Sequence, residues 1–139
     1  NDKKWFDRID ASDGAVFFAA GVFFYFTPEQ VKSLIGTMAK RFSGGKLVFD
    51  AAGKAAVKMI TKTWLKAAEI KDVNAYFSVS DAKKELRIGS NVSVSSRGYM
   101  LGYDDLKSPS VNGFFRLLAK AGDIIMKMQI VRVDFGGAI

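Results

Sequence analysis

Apolar positions along the chain change their period from segment to segment, and each change predicts an element. Ala15-Val-Phe-Phe-Ala-Ala20 is continuously apolar, rich in aromatic and β-branched residues, and follows the turn-forming Ser12-Asp13-Gly14. Such a run predicts a strand buried on both faces, as in a parallel sheet. Gly21 interrupts it and allows a close backbone approach where a ligand could sit. Thr27-Pro28-Glu29-Gln30 then carries three concordant helix-start signals: Thr27 as N-cap, Pro28 at the first helical position and Gln30 to complete a capping box. Val31, Leu34, Ile35, Met38, Ala39 and Phe42 follow at helical spacing until Ser43-Gly44-Gly45 stops the helix. Lys46 to Asp50 resumes as a short buried strand, so strand, helix and strand make a right-handed parallel βαβ unit. Ligands of such sheets collect beyond the carboxyl ends of the strands, here near Ala20-Gly21 and Asp50-Ala51-Ala52-Gly53.

A second helix is predicted from about Ala55 to Ala68. Lys54, Lys58, Lys62 and Lys66 recur every fourth residue as a basic ridge, while Val57, Ile60, Trp64 and Leu65 can face inward. After a less regular stretch through Tyr76-Phe77, Asn91-Val-Ser-Val-Ser95 alternates as a strand with one wet face. A last helix, about Val111 to Ala121, carries Phe114, Phe115, Leu117 and Leu118 and is expected to end at Gly122. From Met126 to Phe135 the alternating phase slips between Ile130 and Val131, which predicts a bulge or strong twist. No internal repeat, low-complexity stretch or linker appears, so residues 1–139 read as one partial or whole domain of the α/β class.

Composition narrows the chemistry. With 49% hydrophobic and 13% aromatic residues the chain can bury a core. It contains no cysteine and no histidine, which removes thiolate chemistry, disulfides and the commonest general base and zinc ligand. No metal site is expected. No GxGxxG or GxxxxGK[ST] occurs, so kinase, NTPase and dehydrogenase readings fall. Among the acids Asp2, Asp7, Asp10, Asp50, Asp104 and Asp105, no spacing marks an acid/base pair, and no catalytic residue is identified. The longest apolar run, Ala15 to Phe26, falls short of a membrane span. No signal peptide is visible, and a cytoplasmic location without a membrane partner is expected. The net charge of +7 reports nonspecific attraction, and nucleic acid is disfavoured as the main partner. The start at Asn1 suggests a processed or truncated product.

A family resemblance adds to this reading. Asp2-Lys-Lys-Trp5-Phe-Asp-Arg-Ile9, Phe17-Phe-Ala-Ala-Gly-Val-Phe-Phe-Tyr-Phe26, Thr27-Pro-Glu-Gln-Val31, Gly45-Lys-Leu-Val-Phe-Asp50 and Gly98-Tyr-Met-Leu-Gly-Tyr103 stand in one order over nearly the whole chain. Together they resemble the C-terminal half of a class I S-adenosylmethionine-dependent methyltransferase, in the leucine carboxyl methyltransferase and polyketide O-methyltransferase group. The resemblance implies that Ala15 to Ala20 is the fourth strand of a Rossmann-like sheet, Lys46 to Asp50 the fifth, and the last two strands an antiparallel edge. The glycine-rich cofactor loop and three earlier strands would lie in a preceding half, so the chain alone would be inactive. The cofactor rim implied here comprises Asp2, near the adenine, and the backbone of Ala20 and Gly21; many relatives have glutamate where Ala20 stands.

Methyl transfer needs an in-line approach and orientation, and neither a metal nor a covalent enzyme intermediate, so a chain without His or Cys can serve it. Tyr25, Tyr99 and Tyr103 are the candidates to contact a small-molecule methyl acceptor. An exposed apolar edge at Ala15 to Phe26 would favour self-association. The competing reading is a noncatalytic basic α/β module that binds nucleic acid or a protein through the Lys54 to Lys66 ridge.

Overall fold

A computed structural model describes residues 4–69, 73–99 and 104–136. Among the described residues four strands form one open, mixed sheet in the order β1-β2-β4-β3. These are β1 (Val16–Ala19), β2 (Lys46–Ala51), β3 (Val92–Gly98) and β4 (Gln129–Phe135). β1 runs parallel to β2, whereas β4 is antiparallel to both β2 and β3. The helices are α1 (Pro28–Arg41), α2 (Lys54–Met59), α3 (Ala82–Glu85) and α4 (Gly113–Ile125), with short 3-10 turns at Lys4–Arg8, Phe23–Tyr25 and Asp104–Lys107.

The connection β1-α1-β2 forms because its local signals agree. Thr27 Oγ1 accepts from the Gln30 N–H at 3.3 Å, and the Gln30 side chain accepts from the Thr27 N–H at 2.8 Å. Two N–H groups that the helix would leave unpaired are thereby satisfied. Thr27→Ala removes one of these bonds and should lower stability by about 1 kcal/mol, read as a fall in the urea midpoint with an unchanged slope. At the other end the Phe42 N–H closes on Met38, and Gly44 takes a φ of +81° so that its N–H reaches the Phe135 carbonyl. That turn joins α1 to β2 and β4 at once.

The core lies on one face of the sheet. Leu47, Phe49 and Ala51 of β2 stand in register with Val133, Val131 and Gln129 of β4, and all are buried. Val31, Ile35 and Met38 of α1 pack against this face, joined by Phe77, Val79 and Leu86 from the segment around α3. Phe23, Phe49 and Phe77 form an aromatic cluster, with the Phe23 and Phe49 centroids 4.8 Å apart. A smaller cluster of Ala52, Ala56 and Val57 ties the start of α2 to the carboxyl end of the sheet.

Several local expectations change in the fold. β1 is not buried on both faces: Phe17 and Ala19 are half-buried on the α1 side, but Val16 is 57% and Phe18 78% exposed on the other. The strand pairs with β2 alone, so one edge and one face find no partner among the described residues. The slip at Ile130-Val131 makes no bulge, because β4 pairs without interruption from Gln129 to Asp134 with β2 and from Gln129 to Phe135 with β3. Met126 and Met128 belong to the turn before the strand. Buried Gln129 takes the position in the alternating phase that an apolar residue would otherwise hold. Finally, α4 starts at Gly113 behind the Asn112 cap and runs through Gly122 to Ile125. An interior glycine lowers helix propensity by about 1 kcal/mol without forbidding helical backbone, and the chain leaves the helix at Met126, just before Lys127 with its φ of +53°.

α2 continues beyond Met59 as a wider π-helical segment, Ile60–Leu65. Thr61 and Thr63 there donate their hydroxyls to the Val57 and Met59 carbonyls, a back-bonding that disturbs regular helix. Val57 and Leu65 face inward and are buried, Ile60 is half-buried, and the side chain of Trp64 lies outside the described residues. Lys54, Lys58, Lys62 and Lys66 are all exposed.

Candidate functional site

The strand registers place Ala20 and Gly21 of the expected rim at one end of the sheet. Ala51 of β2 pairs with Gln129 of β4, which pairs in turn with Gly98 of β3. The carboxyl ends of β1, β2 and β3 therefore share an end, and Ala20, Gly21, Asp50, Ala52 and Tyr99 gather there. Tyr25 follows within the 3-10 turn that leaves Gly21. Asp2 and Tyr103 lie outside the described residues.

Gly21 adopts a φ of +66°, and a Cβ there would meet nothing within 4 Å. Backbone conformation rather than crowding therefore selects glycine. Its N–H donates to Asp50 Oδ1 at 2.7 Å, across 29 residues of sequence. One carboxylate thus holds the turn beyond β1 against the end of β2. Ala20 and Gly21 are both exposed, so the backbone at this end is open to a ligand. Tyr25 is exposed and Tyr99 half-buried, the latter anchored by its N–H to the Met128 carbonyl at 3.0 Å.

The neighbouring backbone is tied down. The Phe24 carbonyl accepts from the Tyr76 and Phe77 N–H groups, Val79 N–H donates to the Ala52 carbonyl, and Gly53 N–H donates to the Met126 carbonyl. Gln129, which sequence reasoning missed, donates its side-chain amide to the Val79 carbonyl at 3.1 Å and to the Lys127 carbonyl at 3.3 Å. It is the buried polar side chain that fastens the 75–79 segment over the sheet end. Its sequence signal was slight: one polar residue within an apolar alternation.

The other candidate acids are engaged elsewhere or undescribed. Asp7 pairs with Arg41 and fastens the first 3-10 turn to α1. Asp10 accepts from the Ser12 N–H at 3.0 Å, and that bond lowers its pKa below the usual carboxylate value. The side chains of Asp104 and Asp105 lie outside the described residues. No group of three or more His, Cys, Asp or Glu side chains able to hold a metal ion occurs among the described residues, and none of their helices is long and apolar enough to cross a membrane.

A concavity runs along the free edge of β1. It measures about 690 Å³ and is walled by Trp5, Phe17, Phe18, Val22, Phe26 and Leu34, with Glu29, Gln30 and Ser33 from the start of α1 at its polar side. This groove extends the unpaired strand edge between the first 3-10 turn and α1. No protein-family model matches the chain, and no curated protein matches it.

Proposed function

We propose that the chain is the C-terminal half of an S-adenosylmethionine-dependent O-methyltransferase of the leucine carboxyl methyltransferase and polyketide O-methyltransferase group, acting on a small-molecule acceptor once joined to its preceding half. The observation that carries this reading is the open edge of β1 in a mixed sheet that holds a parallel β1-α1-β2 unit and an antiparallel β3-β4 pair. A parallel strand is ordinarily covered on both faces, and a flat apolar edge is ordinarily paired or covered. Here Val16 and Phe18 are exposed, and an apolar groove flanks the strand. Further strands and helices of the same sheet are the complement such a surface fits. In the segment by itself, the same edge favours self-association.

The residues at the sheet end suit a cofactor rim. Gly21 has no side chain and a positive φ, and the Asp50 carboxylate holds it in place. Ala20 offers backbone where many relatives offer glutamate. The bound sulfonium would supply the methyl group. The chain's own part is to present the Ala20-Gly21 backbone and to orient the acceptor beside Tyr25 and Tyr99, with Asp2 and Tyr103 carried by the resemblance alone.

The test is calorimetric titration of S-adenosylmethionine into this chain and into a form carrying the preceding strands. The extended form should bind and the short chain should not. Gly21→Val in the extended form should weaken binding roughly tenfold or more, because a branched residue at this φ costs about 1–3 kcal/mol. Binding to neither form would refute the reading. It would put the exposed Lys54 to Lys66 ridge forward as the functional surface, with salt-dependent oligonucleotide binding as its signature.

A further inference from the structure

α4 is amphipathic in the wrong sense for a helix packed on its own domain. Its buried residue is Ala119, and half-buried Arg116 and Asp123 flank the body of the protein. Arg116 donates to the Ser108 carbonyl, and Asp123 lies against Gly98 of β3. Phe114, Phe115, Leu117, Leu118, Ile124 and Ile125 are instead 51–67% exposed. Phe114, Leu118, Ala121 and Ile125 repeat at spacings of four, three and four, the seam that meets another helix side by side. Leu117 and Ile124 widen this stripe, and Lys120 stands at its margin.

From this geometry we infer that α4 is a homodimer interface, its apolar stripe pairing with the same stripe of a second copy of this chain. Phe114 and the four branched aliphatics of the stripe, at this exposure, present on the order of 500 Å² of apolar surface. That lies toward the upper end of the largest patch of an ordinary monomer, roughly 300–600 Å². Pairing two such stripes buries on the order of 1,000 Å², the area a specific interface is expected to reach. The stripe carries no charge that self-pairing would bury unpartnered, so a two-fold contact meets no desolvation penalty there. α4 contacts β3, whereas further strands would join the sheet at β1, the opposite edge. The inference is independent of the methyltransferase reading.

The test is sedimentation of this chain in a Phe18→Lys background, which blocks pairing at the β1 edge. That protein should dimerise reversibly, and adding Leu118→Lys should raise the dimer dissociation constant roughly tenfold or more, as loss of a central apolar anchor does. Circular dichroism should be unchanged, since the position is 51% exposed. The chain has no cysteine, so Leu118→Cys is a unique handle that a short bis-maleimide should convert to a covalent dimer. A monomer at about 100 µM, or a dimer indifferent to Leu118→Lys, would overturn the proposal. So would a monomer that floats with phospholipid vesicles, or a Leu118→Cys variant whose thiol becomes protected only in the N-terminally extended form.

Discussion

Phe49→Ala is expected to lower the unfolding free energy by about 3–5 kcal/mol, the largest single effect among the substitutions considered. Phe49 is 2% exposed at the centre of β2, where its ring meets Phe23 at 4.8 Å and Phe77 at 6.3 Å. Those two rings come from the turn after β1 and from the segment over the sheet end. Truncation would therefore loosen the strand, the Gly21 turn and the 75–79 segment together. Domains of this kind are stable by roughly 5–15 kcal/mol in total, so the variant should be partly unfolded well below the wild-type urea midpoint. A loss under about 1 kcal/mol would mean that Phe23 and Phe77 close over the vacated space.

The second large effect comes from a glycine, and another glycine supplies the control. At Gly45 an added Cβ would stand 2.9 Å from the Phe42 carbonyl oxygen and 3.0 Å from that of Ala15. Both are backbone atoms and cannot swing away. The flanking bonds, Lys46 N–H to Ala15 and Phe135 N–H to Gly45, register β1, β2 and β4 at this point. Gly45→Ala should therefore destabilise by about 1–3 kcal/mol, the usual cost of overpacking. Gly122 lies inside α4 with nothing within 4 Å of its added Cβ. There the same substitution should stabilise by about 0.5–1 kcal/mol, by improving helix propensity and restricting the unfolded chain. Opposite shifts of the two urea midpoints would bear this out; a loss at Gly122 would mean that its surroundings are closed.

The order of elements was legible where local chemistry decides structure. Thr27-Pro28 with Gln30 specified the start of α1, because the cap uses atoms within four residues of one another. The glycines after Phe42 marked its end because Gly44 adopts a backbone conformation that other residues avoid. The apolar runs Ala15 to Ala20 and Leu47 to Phe49 marked strands, and their tight connections to α1 made the pair parallel. The placement of Ala20, Gly21, Asp50 and Tyr99 at one end of the sheet also follows largely from strand direction, once β3 and β4 are known to pair.

What periodicity could not decide was which apolar surfaces would find a partner. Val16 and Phe18 have the same character as Phe17 and Ala19, yet they point to the uncovered face of β1. The stripe on α4 reads like any core-facing helix, yet it turns outward, because Ala119, Arg116 and Asp123 face the body instead. Nor does Gln129 declare itself in an apolar alternation; its burial depends on carbonyls of Val79 and Lys127 that only the folded backbone brings within reach. Caps, breaks and strand character were therefore written in the order of residues, since each depends on neighbours along the chain. Burial and the Gly21–Asp50 hydrogen bond came from the folded arrangement alone, because they depend on groups brought together from distant residues.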